Sequence, residues 1–215
     1  MRDFNKIIVI GQNKAGTNSL CRALVMLGLN GVHDALQYNT EKYIEGMRNN
    51  ILLQDMGVPD VDFYSDWPFI TVDSAKYFYV NYSNSLFINL ERNFEDAFMS
   101  VYRNIKLDRE SGIYKTWSNF KTADDWLSTK EEKIELYKHR RKEFYEFISE
   151  LPKATVLTMN MCDNNDGWDK LCNFLEVDVL DVPFPKLNTT KSAQSEHWDM
   201  RRVDRLKNLE KTDGL

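Results

Sequence analysis

The stretch from Ile7 to Leu20, IIVIGQNKAGTNSL, constrains the fold of this 215-residue chain more than any other. Its first part is a continuous apolar run, which is typical of a strand covered on both faces in a parallel sheet. Gly11 and Gly16 follow, and the next apolar residues recur at helical spacing as far as Leu27. A strand that turns through glycines into a helix directs backbone N–H groups at one point, so the sequence predicts a phosphate site here.

The lysine of this loop is displaced from the position that nucleotide hydrolysis requires. Gly11 and Gly16 have the spacing of a P-loop, but Lys14 lies between them rather than after the second glycine. Thr17 and Asn18 stand where P-loop NTPases carry the Lys-Ser/Thr pair that contacts the terminal phosphates and holds magnesium. The loop therefore favours phosphate binding without that magnesium chemistry.

A second cationic residue, Arg92, follows the apolar run SLFINL at residues 85–90. The pair Glu91-Arg92 at this strand end favours an anion site over a Walker B carboxylate. Asn93 can cap a following helix, which would place Ser100 about two turns along it, on a side that can approach the same ligand. An arginine and a hydroxyl there would form a second phosphate clamp. Two clamps fit a nucleotide that carries phosphates at both its 5′ and 3′ positions.

The order of apolar runs predicts one domain over residues 1–215, with a three-layer α/β/α fold of the P-loop nucleotide-binding type around a mainly parallel sheet. Predicted strands cover 6–10, 61–64, 85–90 and 154–159, and predicted helices cover 16–27, 72–82, 131–151 and 166–175, with a further helix after Asn93. Residues 106–130 lack a clear period and are predicted to form an irregular substrate lobe or lid. Residues 195–215 are predicted to form a C-terminal helix and tail.

The composition narrows the class of protein. A net charge of −5 argues against nucleic-acid binding, which usually requires a basic face. Three cysteines without CxxC or zinc spacing predict a reduced, cytoplasmic protein that binds no metal. The N-terminus has no signal-peptide h-region, and no apolar run approaches the ~18 residues of a membrane span. We therefore expect no membrane span, while the oligomeric state is not indicated.

In these features the chain resembles the PAPS-dependent sulfotransferases, where PAPS is 3′-phosphoadenosine 5′-phosphosulfate, and especially the small P-loop sulfotransferases of bacteria, algae and viruses. Residues 13–20, NKAGTNSL, are similar to their first signature, and Arg92 with Ser100 to their second. The likeness extends to Asp66-Trp67-Pro68, to GWDKLCNFL at 167–175 and to FPKLN at 184–188. The loop departs from that signature at Asn13, Ala15 and Asn18.

The resemblance implies transfer of a sulfuryl group from PAPS to a hydroxyl or amine, with adenosine 3′,5′-bisphosphate (PAP) as product and no metal. Lys14 would stabilise the leaving oxygen. The 5′-phosphate would be cradled by the loop residues Ala15, Gly16, Thr17, Asn18 and Ser19. The 3′-phosphate side would be bound by Arg92, Ser100 and Lys186. The acceptor is left open among small molecules, glycans and lipids.

Sulfuryl transfer needs a base that removes the acceptor's proton, and three residues are candidates. Asp66 stands before Trp67-Pro68, a place comparable to that of the catalytic histidine in other sulfotransferases. His33 follows the first helix, and His139 lies on a long predicted helix. As the catalytic base we favour Asp66 over His33, and His33 over His139.

Two other functions are compatible with the sequence. The first is a nucleotide or small-molecule kinase with a modified P-loop, against which the missing magnesium ligands count. The second is a nucleotide-binding module without catalysis, which the loop departures at Asn13, Ala15 and Asn18 would favour.

Overall fold

The computed structural model describes residues 1–33, 40–110 and 122–187. Within them, five parallel strands form one sheet in the order β2-β3-β1-β4-β5. The strands are β1 Ile7–Gly11, β2 Gly31–His33, β3 Phe63–Ser65, β4 Leu86–Leu90 and β5 Val156–Met159. The central β1 pairs with both β3 and β4, with Ile8 opposite Tyr64 on one side and Phe87 on the other. The parallel sheet expected from the sequence is confirmed.

Helices cover both faces of the sheet. They are α1 Thr17–Met26, α2 Thr40–Arg48, α3 Val72–Asn81, α4 Phe94–Glu110, α5 Ala123–Leu127, α6 Lys130–Ser149 and α7 Trp168–Leu175. Short 3-10 turns lie at Leu53–Met56 and Lys153–Thr155. None of these described helices combines the length and apolar character needed to cross a membrane.

Two apolar layers separate the sheet from these helices. Because successive strand residues point to opposite faces, Ile7 and Val9 pack with α1 and α7, whereas Ile8 and Ile10 pack with α2, α3 and α6. All four side chains are buried, which explains why β1 is a continuous apolar run. This arrangement confirms the predicted three-layer α/β/α fold.

The segment expected to be irregular at 106–130 is partly helical. Helix α4 continues to Glu110, and α5 begins after Thr122, whose hydroxyl accepts a hydrogen bond from the Asp125 N–H at 3.0 Å. Trp126 stacks on Phe98 with ring centroids 5.0 Å apart. The prediction was wrong for 106–110, which continue α4, and for 123–127, where a helix forms because Trp126 is buried against α4. Residues 111–121 lie outside the described part of the chain.

The sequence also missed β2, α2 and α5, whereas the other predicted strands and helices match the structure within about two residues. Strand β2 has three residues, which is too short for a periodic pattern, and it exists because it pairs with β3. Helix α7 begins two residues later than expected, after Gly167. The predicted C-terminal helix and tail at 195–215 lie outside the described residues.

Candidate active site

Four of the residues singled out by sequence come together at one edge of the sheet. Lys14 follows β1, His33 ends β2, Asp66 follows β3 and Arg92 follows β4. The four strands are parallel, so their carboxyl ends share an edge, which is where ligands bind in such folds. The order β2-β3-β1-β4 places Lys14 between Asp66 on one side and Arg92 on the other.

The loop after β1 is shaped by residues in the left-handed backbone region. Lys14 has φ 67° and Gly16 has φ 100°. A Cβ added to Gly11 would lie 2.3 Å from the Leu90 carbonyl oxygen, so only glycine lets β1 leave the sheet this close to β4. Gly16 is the N-cap residue of α1, where no side chain caps the helix and the first turn carries no acidic residue. The helix N-terminus therefore presents its partial positive charge toward the site.

Arg92 connects the end of β4 to this loop. Its Nη1 donates a hydrogen bond to the Lys14 carbonyl oxygen at 2.8 Å. Asn93 caps α4, because its Oδ1 accepts hydrogen bonds from the Glu95 and Asp96 N–H groups at 2.9 and 3.2 Å. Ser100 lies half-buried in α4, about two turns beyond this cap. The expected cap is thus confirmed, and the structure brings Arg92 to the Lys14 loop.

Asp66, one of the base candidates, contacts both the start of α1 and a second base candidate, His33. It has φ 64°, and its Oδ1 accepts a hydrogen bond from the Trp67 N–H at 2.8 Å. The Thr17 hydroxyl donates to Asp66 Oδ2 at 3.3 Å, and His33 Nε2 lies 3.7 Å from the same oxygen. The side chain of Asp66 is 18% exposed and that of His33 is 9% exposed.

The far side of His33 is closed by Cys21, a buried residue of α1. The Cys21 sulfur lies 3.6 Å from His33 Nδ1. Burial raises the pKa of the Cys21 thiol to about 12, so this group remains protonated at neutral pH. Both ring nitrogens of His33 therefore face a specific neighbour, Cys21 on one side and Asp66 on the other.

His139, the third base candidate, lies on the outward side of α6. Its side chain is 69% exposed, and its Nε2 lies 3.7 Å from Glu143 Oε1, one turn along the same helix. The structure thus separates it from the cluster that holds the other two candidates.

The closing segment FPKLN reaches the start of α1. The backbone N–H of Leu187 donates to the Ser19 hydroxyl oxygen at 3.0 Å. This contact brings the exposed residue Lys186 to the neighbourhood of the loop, whereas Asn188 lies outside the described residues. Ala15 is completely buried, so its side chain belongs to the core and does not face the site.

Arg141 of α6 also belongs to this site, although sequence reasoning did not single it out. Its Nη2 donates to Gln12 Oε1 at 3.0 Å and to the Arg92 carbonyl oxygen at 2.7 Å. Its guanidinium carbon lies 3.8 Å from the centre of the Phe94 ring. Burial lowers the pKa of Arg141. In the sequence it is one cation of the run KHRRK, and only its position on α6 distinguishes it from the other cations of that run.

Five buried polar side-chain atoms at this edge have no hydrogen-bond partner among the described residues. They are Gln12 Nε2, Asn13 Oδ1, Ser65 Oγ, Asn89 Nδ2 and Arg92 Nε. Unpaired buried polar atoms are rare in folded proteins and concentrate where a ligand or ordered water completes the structure. Three of the five are N–H donors and a fourth is a hydroxyl that can donate, which suits an anionic ligand.

Comparison with known proteins agrees with this geometry. A family model described as a sulfotransferase domain matches residues 6–193, a range that includes every candidate residue above. A search of curated proteins finds no relative that matches. The family match covers most of the chain, and the parallel sheet between two helical layers agrees with the sulfotransferase fold. The chain therefore belongs to the sulfotransferase family.

Proposed function

We propose that this protein transfers a sulfuryl group from PAPS to a hydroxyl or amine of an acceptor. The observation that carries the proposal is the junction of two cationic loops: Arg92 Nη1 lies 2.8 Å from the Lys14 carbonyl oxygen, beside the N-terminus of α1. Two such loops can bind the separate phosphates of PAPS, one at the 5′ end and one at the 3′ end.

The residues present fit this donor. Around the 5′-phosphate position, the N-terminus of α1 lacks a side-chain cap and an acidic first turn, both of which would compete with an anion. Ser19 accepts from the Leu187 N–H, which leaves the hydroxyl proton of Ser19 to donate to a phosphate. Thr17 differs, because its hydroxyl donates to Asp66 and the residue would contribute its backbone N–H. On the other side, Arg92 Nε is a buried donor without a partner among the described residues.

In the reaction, the acceptor oxygen or nitrogen forms a bond to sulfur while the bond from sulfur to the bridging phosphate oxygen breaks. The electron pair of that bond passes to the bridging oxygen, and the ammonium group of Lys14 stabilises the negative charge that develops there. PAPS supplies the sulfuryl group, and the acceptor's proton passes to a carboxylate. No residue of the chain forms a covalent intermediate in this scheme.

Asp66 is the residue that we propose as this base. Its carboxylate is more exposed than the His33 ring, and the Thr17 hydroxyl ties it to the loop that would hold the donor. If the protonated Cys21 thiol donates to His33 Nδ1, a neutral His33 carries its proton on Nε2, which faces Asp66. His33 then orients and stabilises the carboxylate, while Asp66 accepts the proton.

A magnesium-dependent kinase would require other contacts at the same edge. The Thr17 hydroxyl, the nearest equivalent of the magnesium-binding hydroxyl, donates to Asp66. Glu91, the carboxylate at the end of β4, accepts a hydrogen bond from the Tyr145 hydroxyl. Both groups are thus engaged in protein contacts, which supports the sulfotransferase over the kinase.

A thermal-shift titration with PAP, compared with ATP plus magnesium, tests the donor class. We expect PAP to stabilise the protein selectively, by about 2.7 kcal/mol at a hundredfold excess over its Kd. Lys14→Ala and Arg92→Ala should weaken this effect, while Lys142→Ala, on the exposed face of α6, should leave it unchanged. Stronger stabilisation by ATP plus magnesium would contradict the proposal. PAP binding without transfer from PAPS to any acceptor in a broad panel would favour the non-catalytic module.

A further inference from the structure

One face of α6 is joined to the ends of both central strands. Arg141 donates to Gln12, in the loop after β1, and to the carbonyl oxygen of Arg92, after β4. Tyr145, one turn further along the helix, donates to the Glu91 side chain. The neighbouring cation Lys142 instead points to solvent, with a side chain that is 76% exposed and an ion pair to Glu146 at 3.8 Å.

These contacts form a closed connection between the two cationic loops. Arg141 joins the Gln12 side chain to the Arg92 backbone, and the Arg92 side chain returns to the Lys14 backbone. The hydrogen bond from Arg141 also fixes the orientation of the Gln12 side-chain amide, because only the amide oxygen can accept from a guanidinium. The distance between the two loops is therefore determined in part by a residue of α6 that lies on neither of them.

The contact with the Phe94 ring favours a planar guanidinium over an ammonium group at this position. A single nitrogen, Nη2, serves two acceptors while the planar group lies over the Phe94 ring at 3.8 Å. A lysine ammonium lacks this planar, forked geometry. The charges of Glu91 and Asp163 act on Arg141, so part of its own charge is balanced within the protein. Geometry rather than charge is what this residue supplies.

We propose that Arg141 is a positioning residue that holds the Lys14 loop and the Arg92 loop at the separation needed to bind both phosphates of one nucleotide. This inference rests on the proposed function, since it assumes that PAP or PAPS spans the two loops. It predicts that Arg141 contributes to the preference for a nucleotide with two separated phosphates over one with a 5′-phosphate alone.

The test compares the Kd of PAP with the Kd of adenosine 5′-monophosphate, by calorimetry, for the wild type and for Arg141→Lys, Arg141→Met and the control Lys142→Met. We expect both Arg141 variants to lose about tenfold or more in PAP affinity and less in monophosphate affinity. Lys142→Met should match the wild type. An Arg141→Lys variant that keeps the wild-type ratio of the two Kd values would overturn the positioning role, because its charge alone would then suffice.

Two further variants test the role of Arg141 in case the Arg141 substitutions themselves impair folding. Phe94→Leu removes the ring under the guanidinium and should lower the PAP preference in the same direction, by a smaller factor. In a Gln12→Ala background the penalty of Arg141→Met should shrink, and fully independent penalties would contradict the connection. A wild type that does not bind PAP would overturn the proposed function together with this inference. A wild type that prefers PAP while the Arg141 variants do so equally would overturn this inference alone.

Discussion

His33 Nε2 lies 3.7 Å from Asp66 Oδ2, so the two residues that compete for the role of base in the sequence are partners in the structure. His33 ends β2 and Asp66 directly follows β3, and the pairing of these strands places His33 opposite Ser65. The Thr17 hydroxyl of α1 donates to the same Asp66 oxygen at 3.3 Å. Asp66 and His33 can therefore both take part in proton transfer, one as the base and the other as its partner.

Substitution at this pair distinguishes the two roles. Asp66→Asn should lower kcat by about a hundredfold or more while PAP still binds, because the amide cannot accept the proton. His33→Asn should cost about tenfold, since it removes only the partner of the carboxylate. Transfer from labelled PAPS to an acceptor identified in the panel measures kcat, and calorimetry measures the Kd of PAP. A larger loss in His33→Asn than in Asp66→Asn would reverse the assignment.

Lys14→Met keeps the length of the side chain and removes its charge. If the ammonium acts mainly on charge that develops in the transition state, kcat should fall by about 10²–10³, more than the Kd of PAP rises. Lys142→Met, which removes an exposed charge from α6, should change neither value. Equal losses in kcat and in PAP affinity would show that Lys14 serves ground-state binding instead.

Ser100→Ala tests the second clamp without disturbing the contact between Arg92 and Lys14. Loss of a hydrogen bond to a phosphate should raise the Kd of PAP about tenfold or more and leave that of adenosine 5′-monophosphate unchanged. Ser149→Ala, at the exposed end of α6, is the matched control. Equal effects on the two nucleotides would place Ser100 away from the 3′-phosphate.

Alanine substitutions at two glycines with positive φ distinguish the cost of backbone strain from the cost of a steric clash. Gly28→Ala at φ 89° has nothing within 4 Å of the new Cβ, so we expect a cost of about 1–2 kcal/mol in the free energy of unfolding. Gly11→Ala at φ 126° places the Cβ 2.3 Å from the Leu90 carbonyl oxygen, which should add a further ~1–3 kcal/mol. Urea denaturation of both variants measures the difference. Equal costs would mean that β1 and β4 can separate without penalty.

The buried thiol of Cys21 should make stability depend on alkaline pH. Burial raises the pKa of Cys21 from 9.0 to about 12, so the folded protein retains a proton that the unfolded chain releases above pH 9. The resulting stabilisation is complete below pH 9 and is lost between pH 9 and 12, at up to about 1.4 kcal/mol per pH unit. Burial also raises the pKa of Tyr64 and Tyr77, which adds to the decline at higher pH. Denaturation from pH 8 to 11 should therefore show a shallower slope in Cys21→Ala, and an unchanged slope would exclude the thiol as its source.

Features that depend on near neighbours in the chain could be predicted from the sequence. The apolar run of β1, the glycines and lysine of the loop, the periodic face of α1 and the Asn93 cap are properties of short segments. Because ligands bind beyond the carboxyl ends of parallel strands, these segments also predicted that the Lys14 loop and Arg92 would approach the same ligand.

Only the tertiary structure decided which of these residues touch each other. The three-residue β2 exists because β3 is beside it, and that pairing brings His33 to Asp66. Arg141 reaches Gln12 across 129 positions of sequence, and the Leu187 N–H reaches Ser19 across 168. Such contacts depend on strand order and on how helices pack over the sheet, so no local pattern of residue types contains them. The sequence by itself determined the fold class and which candidate residues stand at the ends of the strands, whereas the packing of distant segments decided how those residues are arranged.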